Sequence, residues 1–354
     1  MKRQMLLWVA LLMTSMGTWA QKAAQTLNLK KLQVYAVGFY NQENLFDTCH
    51  DAGKNDYEYL PAKGWDSEKY TSKLKNMSRA LADMGTDVLP DAGCAFIGLA
   101  EVENANVLRD LTAQSPLKAR NMQFCHIEGP DKRGIDCALL YNPALFTVKN
   151  VKLVPYVQEL AKDSAFYTRG FLTVRGEMAG DDVAVIVCHW PSQFSGSFYR
   201  ESGARQTKAV KDSLLRLNPE MKVFVMGDMN DDPTSKSMYE VLRAKPEISE
   251  VGEGDMYNPW YNILAKEEKG TLYYRGKWNL FDQIVLTPNL LNKDGKKKGY
   301  RSLKYWNHQV FRRDYLIQQE GRYQGAPLRT KAGGKWLNGY SDHLPVVLYL
   351  VKKK

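Results

Sequence analysis

The chain is short of cysteine, of histidine and of long apolar runs, and each shortage excludes something. Five cysteines (Cys49, Cys94, Cys125, Cys137 and Cys188) are scattered over 354 residues with no Cys-x-x-Cys pair, which sets a cysteine zinc site aside. An odd count leaves at least one thiol unpaired. Cys94, Cys125, Cys137 and Cys188 sit in or beside apolar runs, as buried small hydrophobes do, so no disulfide framework is expected. The one candidate membrane segment, Met5 to Met16, follows Lys2 and Arg3 and precedes Thr18-Trp19-Ala20. It falls short of the roughly 20 residues of a spanning helix; residues 1–20 therefore read as a signal peptide cut after Ala20. With no downstream span, no cysteine placed for a lipid anchor, no repeat and no low-complexity linker, the expectation is an exported periplasmic or secreted monomer. It would have a short linker at 21–30, a single domain over 31–354 and no stable membrane insertion.

What is present is an ordinary globular composition, 44% hydrophobic and 25% charged, enough for a sizeable core. The net charge of +10 is unevenly placed. Between Lys293 and Lys335 stand twelve Lys or Arg against Asp294, Asp314 and Glu320. Such a stretch suits a polyanionic substrate, and equally a set of solvated loops; Lys296-Lys297-Lys298 between glycines reads as an exposed turn.

Alternation predicts a strand at 33–40 and a short buried-type run another at 95–100, with further apolar runs reading as strands at 137–141, 148–154, 170–174, 183–188, 222–226, 279–286 and 346–351. Helical spacing predicts helices at 67–84, 200–217 and 235–244, the first capped by Asp66 or Ser67 and ended at Gly85. This mixed order favours two packed sheets flanked by helices. The aromatic and basic stretches 250–276 and 306–340 fit no element and read as ordered lips.

Polar motifs stand at the ends of these strands: Asn41-Gln42-Glu43-Asn44, Glu101, His189-Trp190-Pro191-Ser192, Gly227-Asp228-Met229-Asn230-Asp231, Asp282 and Ser341-Asp342-His343. Carboxylates converging from distant strands repel unless a cation lies among them. Glu43, Glu101 and Asp342 therefore read as ligands of a hard metal, Mg2+ or Mn2+, with Asn41 on the same strand face as Glu43 to orient a ligand or water. Asp228 and Asn230 face one way, one to accept a proton from water and one to donate hydrogen bonds to a phosphate oxygen. Gly227 lets the chain turn sharply there. His189 can donate to a phosphoryl oxygen. His343 needs a partner to fix its tautomer, and Asp282 on a neighbouring strand is the candidate. Arg133 and Arg169 can each grip phosphate or form a structural ion pair. Arg205 and Lys208 read as packing residues.

Taken in order, these motifs resemble the endonuclease/exonuclease/phosphatase family of metal-dependent, DNase-like phosphoesterases, over nearly the whole chain from Phe39 to Val346. The resemblance implies a four-layer α/β/β/α sandwich and hydrolysis of a phosphate ester by in-line attack of water. It makes Glu101 the main Mg2+ ligand, with Glu43 and Asp342 nearby and Asn41 in support. It makes Asp228 the residue that activates water, Asn230 and His189 phosphate contacts, and the Asp282–His343 pair an aid at the reacting group. Glu43 stands where some members carry Asp, which leaves one or two metals open. The expected substrate is nucleic acid, on the strength of the basic stretch. The alternatives are a phospholipid head group, from the Met256–Tyr261 aromatic cluster, or a small phosphate ester gripped by Arg133 and Arg169. A binding protein without catalysis is a further alternative.

Overall fold

A computed structural model describes residues 31–159, 168–267, 269–293 and 300–354. The expected signal peptide and linker, and Lys296-Lys297-Lys298, lie outside them. Two sheets carry the fold. The first has six strands in the order β14-β17-β1-β2-β4-β3: β1 Leu32–Leu45, β2 Cys94–Val102, β3 Gln123–His126, β4 Asp136–Tyr141, β14 Lys304–Val310 and β17 Val346–Lys353. The second has seven, in the order β5-β6-β7-β8-β13-β10-β9: β5 Thr147–Val154, β6 Phe171–Met178, β7 Asp181–His189, β8 Lys222–Asp228, β9 Ala244–Lys245, β10 Met256–Tyr257 and β13 Asp282–Leu286.

Alternation along the strands builds the layers. Val37 and Phe39 of β1, Val183, Val185 and Val187 of β7, and Phe224 and Met226 of β8 meet in the core between the sheets. Their neighbours Ala36 and Tyr40 turn outward, onto Leu74, Met77 and Leu81 of helix α1 (Ser67–Asp83) and Val107, Leu108 and Leu111 of α2 (Ala105–Ala113). On the other side Ala184, Ile186, Val223 and Val225 pack on Ala204 and Leu214 of α3 (Ser197–Leu217). The result is the expected helix–sheet–sheet–helix sandwich, and Asp66 caps α1 by accepting from Lys69 N.

Three local expectations change. The stretch 235–244 forms one π turn, Ser237–Val241, because Ser237 Oγ is tied to Asp231 (2.6 Å) and Arg243 (φ 61°) turns the chain into β9. Residues 304–310, inside or beside the unassigned lip, form edge strand β14. Gly227 does not serve a turn: it lies within β8, where a Cβ would stand 2.1 Å from the Cys188 carbonyl oxygen. The aromatic cluster at 256–261 is interior up to Trp260, which is fully buried and donates to the Ile284 carbonyl (2.9 Å), while Tyr261 is half-buried. All five cysteines are free, four of them buried. Among the described residues, no helix is long and apolar enough to cross a membrane.

Candidate active site

The site lies where β1, β2, β7 and β8 end and β13 and β17 begin. His189 pairs in register with Asp228 across parallel strands, and Asp282 pairs with Asp228 across the antiparallel neighbour. The inward row Val185-Val187 therefore continues into His189, and Phe224-Met226 into Asp228. The same alternation that fills the core delivers the polar groups at its rim. In β1, Val37 and Phe39 continue into Asn41, whose Nδ2 donates to Asp228 Oδ2 (3.0 Å).

The six-stranded sheet places its carboxylates differently. By count Glu101 belongs to the outward row of Ile97 and Leu99. A break in register between Ala100 and Val102 and a left-handed backbone (φ 60°) re-aim it. Its Oε2 accepts from Asn44 N (3.0 Å) and its Oε1 comes 3.7 Å from His189 Nε2. Glu43 and Asn44 are also left-handed (φ 46° and 58°), as is Asn230 (49°). Strained backbone of this kind concentrates at functional sites.

Glu43 does not share a face with Asn41 as a regular strand would require; instead its backbone N–H donates to Asn41 Oδ1 (2.9 Å). The Glu43 carboxylate accepts from Thr330 N (2.6 Å) and Arg329 Nε (3.3 Å). Arg329 also donates to Asp342 Oδ2 (2.6 Å). A guanidinium thus stands between the two carboxylates. Behind Glu43 the fully buried Lys73 donates to Thr330 Oγ1 and the Tyr340 carbonyl. Burial, with Asp342 adding to it, lifts the Glu43 carboxyl to about 7 against the pull of Lys73. Burial also lowers the Lys73 ammonium to about 8. Neither Arg329 nor Lys73 was among the sequence candidates. Lys73 had a visible signal: it falls on the apolar stripe Tyr70-Leu74-Met77 of its helix.

The two imidazoles differ in charge. Burial holds His189 neutral, well below the ordinary range, and the positive charges of Arg169 and Arg133 add to this. Burial also disfavours charge on His343, but Asp282 and Asp228 outweigh it and hold the ring protonated. His343 Nδ1 donates to Asp282 Oδ2 (2.6 Å), and Ser341 Oγ fixes the turn by donating to the Asn41 carbonyl (2.8 Å). Asp228 is lifted to about 7, chiefly by burial and against the His343 charge; its Oδ1 accepts from Asn230 N (2.9 Å). Asp228 Oδ2 lies 3.6 Å from His189 Nε2 and 3.9 Å from His343 Nε2. These gaps are too wide for hydrogen bonds, so both Nε2 atoms remain available to a third atom.

The remaining candidates divide. Asn230 Nδ2 donates to the Trp190 carbonyl (3.0 Å), which also accepts from Arg169 (3.1 Å). Arg169 is buried against Asp131 (3.1 Å) and acts as a brace. Arg133 is exposed, with its charge felt at His189. Arg205 and Lys208 pair with Glu159 and Asp212. Elsewhere among the described residues, His126, Glu128 and Asp136 bring three ligand atoms within 4.8 Å of one another. They are already engaged: Asp136 accepts from His126 (3.1 Å) and from Gly129 N, and Glu128 pairs with Lys54.

A family model described as Endonuclease/Exonuclease/phosphatase family matches residues 36–352. The chain belongs to the endonuclease/exonuclease/phosphatase family. These are generally phosphoester hydrolases that use divalent metals, typically Mg2+. Solved structures share the fold at low identity. A D. rerio TDP2 humanized by 14 mutations is 13% identical, with 90% of this chain and 98% of that one covered and a TM-score of 0.51. A D. rerio TDP2 complexed with single strand DNA product is 13% identical over 90% and 99%, TM-score 0.52. A Bacteroides thetaiotaomicron mannosyl-6-phosphatase is 14% identical over 89% and 99%, TM-score 0.54. No curated protein matches the sequence.

Proposed function

We propose that this member hydrolyses phosphate esters with the help of a divalent metal, and that its substrates are small. The reading rests on one observation: the in-register row His189–Asp228–Asp282, closed by His343 and faced by Glu101. The oxygen donors suit a hard ion. Glu101 would hold it with Asn41 beside it, while Glu43 and Asp342 are neutralised by Arg329. Mg2+ or Mn2+ bound there supplies Lewis-acid stabilisation of charge on the phosphoryl oxygens. Asp228, oriented by Asn41 and Asn230 and with a carboxyl near 7, accepts the proton of the attacking water. Neutral His189 donates from Nε2 to a phosphoryl oxygen. Cationic His343, held by Asp282, donates to the reacting phosphoryl group from the other side. Arg133 grips substrate from the rim.

Against a nucleic-acid substrate stands the dispersal of the basic stretch. Lys304 and Lys293 donate to the Asn289 and Val251 carbonyls, and Lys304 pairs with Val351 at the far end of the sheet. Arg313 is bound to Asp83 and Asp87. Among the described residues of that stretch, Arg329 and Lys331 line the site region. The second reading, nucleic acid, is favoured by the likeness to TDP2 complexed with single strand DNA product. Burial of residues 256–260 in the Met256–Tyr261 cluster counts against a membrane-facing surface for a lipid substrate.

The test is a phosphoester panel assayed with Mg2+, Mn2+ or EDTA: plasmid DNA, RNA, sphingomyelin, bis-(p-nitrophenyl) phosphate, and sugar and inositol phosphates. Turnover should require metal and fall on the order of 10³-fold in Asp228→Ala. A folded wild type inert on every substrate with either metal would move the assignment to a binding role.

A further inference from the structure

At the rim of the site a buried ion pair joins the two sheets. Asp131 stands on the loop between β3 and β4 of the six-stranded sheet, and Arg169 lies just before β6 of the seven-stranded one. Asp131 Oδ2 accepts from Arg169 Nη1 (3.1 Å), and both side chains are buried. Each partner also holds a piece of the site. Asp131 Oδ1 accepts from Arg133 N (2.9 Å). The Asp131 carbonyl accepts from Gly134 N (3.1 Å), closing a β-turn, and from Lys54 Nζ (3.2 Å). These bonds fix the backbone from which Arg133 projects. On the other sheet, Arg169 Nη2 donates to the Trp190 carbonyl (3.1 Å), and Asn230 Nδ2 donates to the same oxygen (3.0 Å). The charges of Arg133 and Arg169 both reach His189, so this run of contacts borders the His189–Asp228 row.

Desolvation offsets most of what a buried ion pair contributes to stability, so stability alone does not account for sinking this one. Its effect is geometric, because it spans the only break in covalent and ladder contacts between the Arg133 turn and the Trp190 carbonyl that this run crosses. We propose that Asp131 is a positioning residue: through Arg169 it holds Arg133 of one sheet at a fixed distance from Asn230 of the other. Asp131 itself touches no substrate. A phosphate ester then meets two donors, a guanidinium and an amide, whose separation is set before it arrives. The inference rests on the phosphoesterase reading, in which Arg133 and Asn230 are the proposed phosphate contacts, and adds the group that couples them.

Two measurements test it. Kinetics with Mg2+ use whichever substrate of the phosphoester panel wild type turns over fastest. Asp131→Asn should lower kcat by about 10²-fold and raise KM by about tenfold, the scale of a misplaced contact. In an Asn230→Ala background its kcat effect should shrink to about twofold, and in Arg133→Ala its KM effect should shrink likewise, because coupled residues are not additive. Asp131→Asn with Arg169→Met leaves no unpaired buried charge. That double variant should unfold at or above the wild-type urea midpoint and still show the kinetic loss. Undiminished effects in both backgrounds, or a double variant with wild-type kinetics, would overturn the proposal. The second measurement needs no turnover. The Asn230 side-chain NH2 signal in a 15N NMR spectrum is located by its loss in Asn230→Asp. It should move in Asp131→Asn and in the double variant, and stay in place in Arg205→Gln. With a wild type inert on every substrate the phosphoesterase reading falls, and the Asn230 signal then decides the coupling by itself: a signal unmoved by Asp131→Asn ends it.

Discussion

The two sheets furnish the same site by opposite means. The seven-stranded sheet delivers His189, Asp228 and Asp282 through unbroken register, as the next steps of rows that already pack the core. The six-stranded sheet delivers Glu43, Asn44 and Glu101 through broken register, with left-handed backbone at each. The regular sheet thus holds groups whose separations are fixed by the ladder, among them Asp228, the proposed proton acceptor. The irregular sheet holds the carboxylates, which have to be turned out of line to face a cation or an arginine.

Substitutions on each side of the site should part accordingly. Asp282→Asn removes the charge that keeps His343 protonated, and kcat should drop by about 10³-fold with no recovery at higher metal. Glu101→Gln should lose comparable activity at low Mg2+. Saturating metal should recover part of it, the half-saturating concentration rising by more than about tenfold. Identical metal responses in the two variants would erase the functional contrast between the sheets.

Stability gives a second, smaller separation, measured by urea unfolding in EDTA. Glu101→Gly should stabilise by about 1 kcal/mol, because glycine adopts a left-handed backbone without strain. His189→Gly, at the end of a regular buried strand, should destabilise by about 3 kcal/mol. The smallest effect lies away from the site. His308 is held neutral by burial, its pKa lowered from 6.5 to about 4. As pH falls from 6.5 to 4 the unfolded chain gains a proton that the fold refuses, so stability declines through that window. In His308→Phe the decline should be shallower.

Much of this was legible in the sequence, for a physical reason. Apolar runs ending in polar motifs identify strand ends, and a regular sheet converts order in sequence into neighbours in space. That is why His189, Asp228, Asp282 and His343 stand out in the sequence, and Asp282 as the partner of His343. Glu43 defeated the same logic, because a left-handed residue breaks the parity that placed it with Asn41. Arg329 lies in a stretch without periodicity, where nothing in sequence ties it to Asp342 nearby or to Glu43 at the other end of the chain. Strand β14 was hidden because all its residues are half-buried, which blurs alternation. Lys73 was legible and unread: a charge on an apolar helical stripe needs a buried partner.

Gly227 carries a consequence for anyone mapping this protein by random mutagenesis. A methyl group there would collide with the Cys188 carbonyl oxygen and wedge apart the strands that set His189 beside Asp228. In a screen scored by turnover, position 227 will look as intolerant as Asp228, the proposed proton acceptor next to it, although it offers substrate no functional group at all. Loss of function there measures the spacing between two strands, and the readout that tells the two apart is the folded-state stability of each variant.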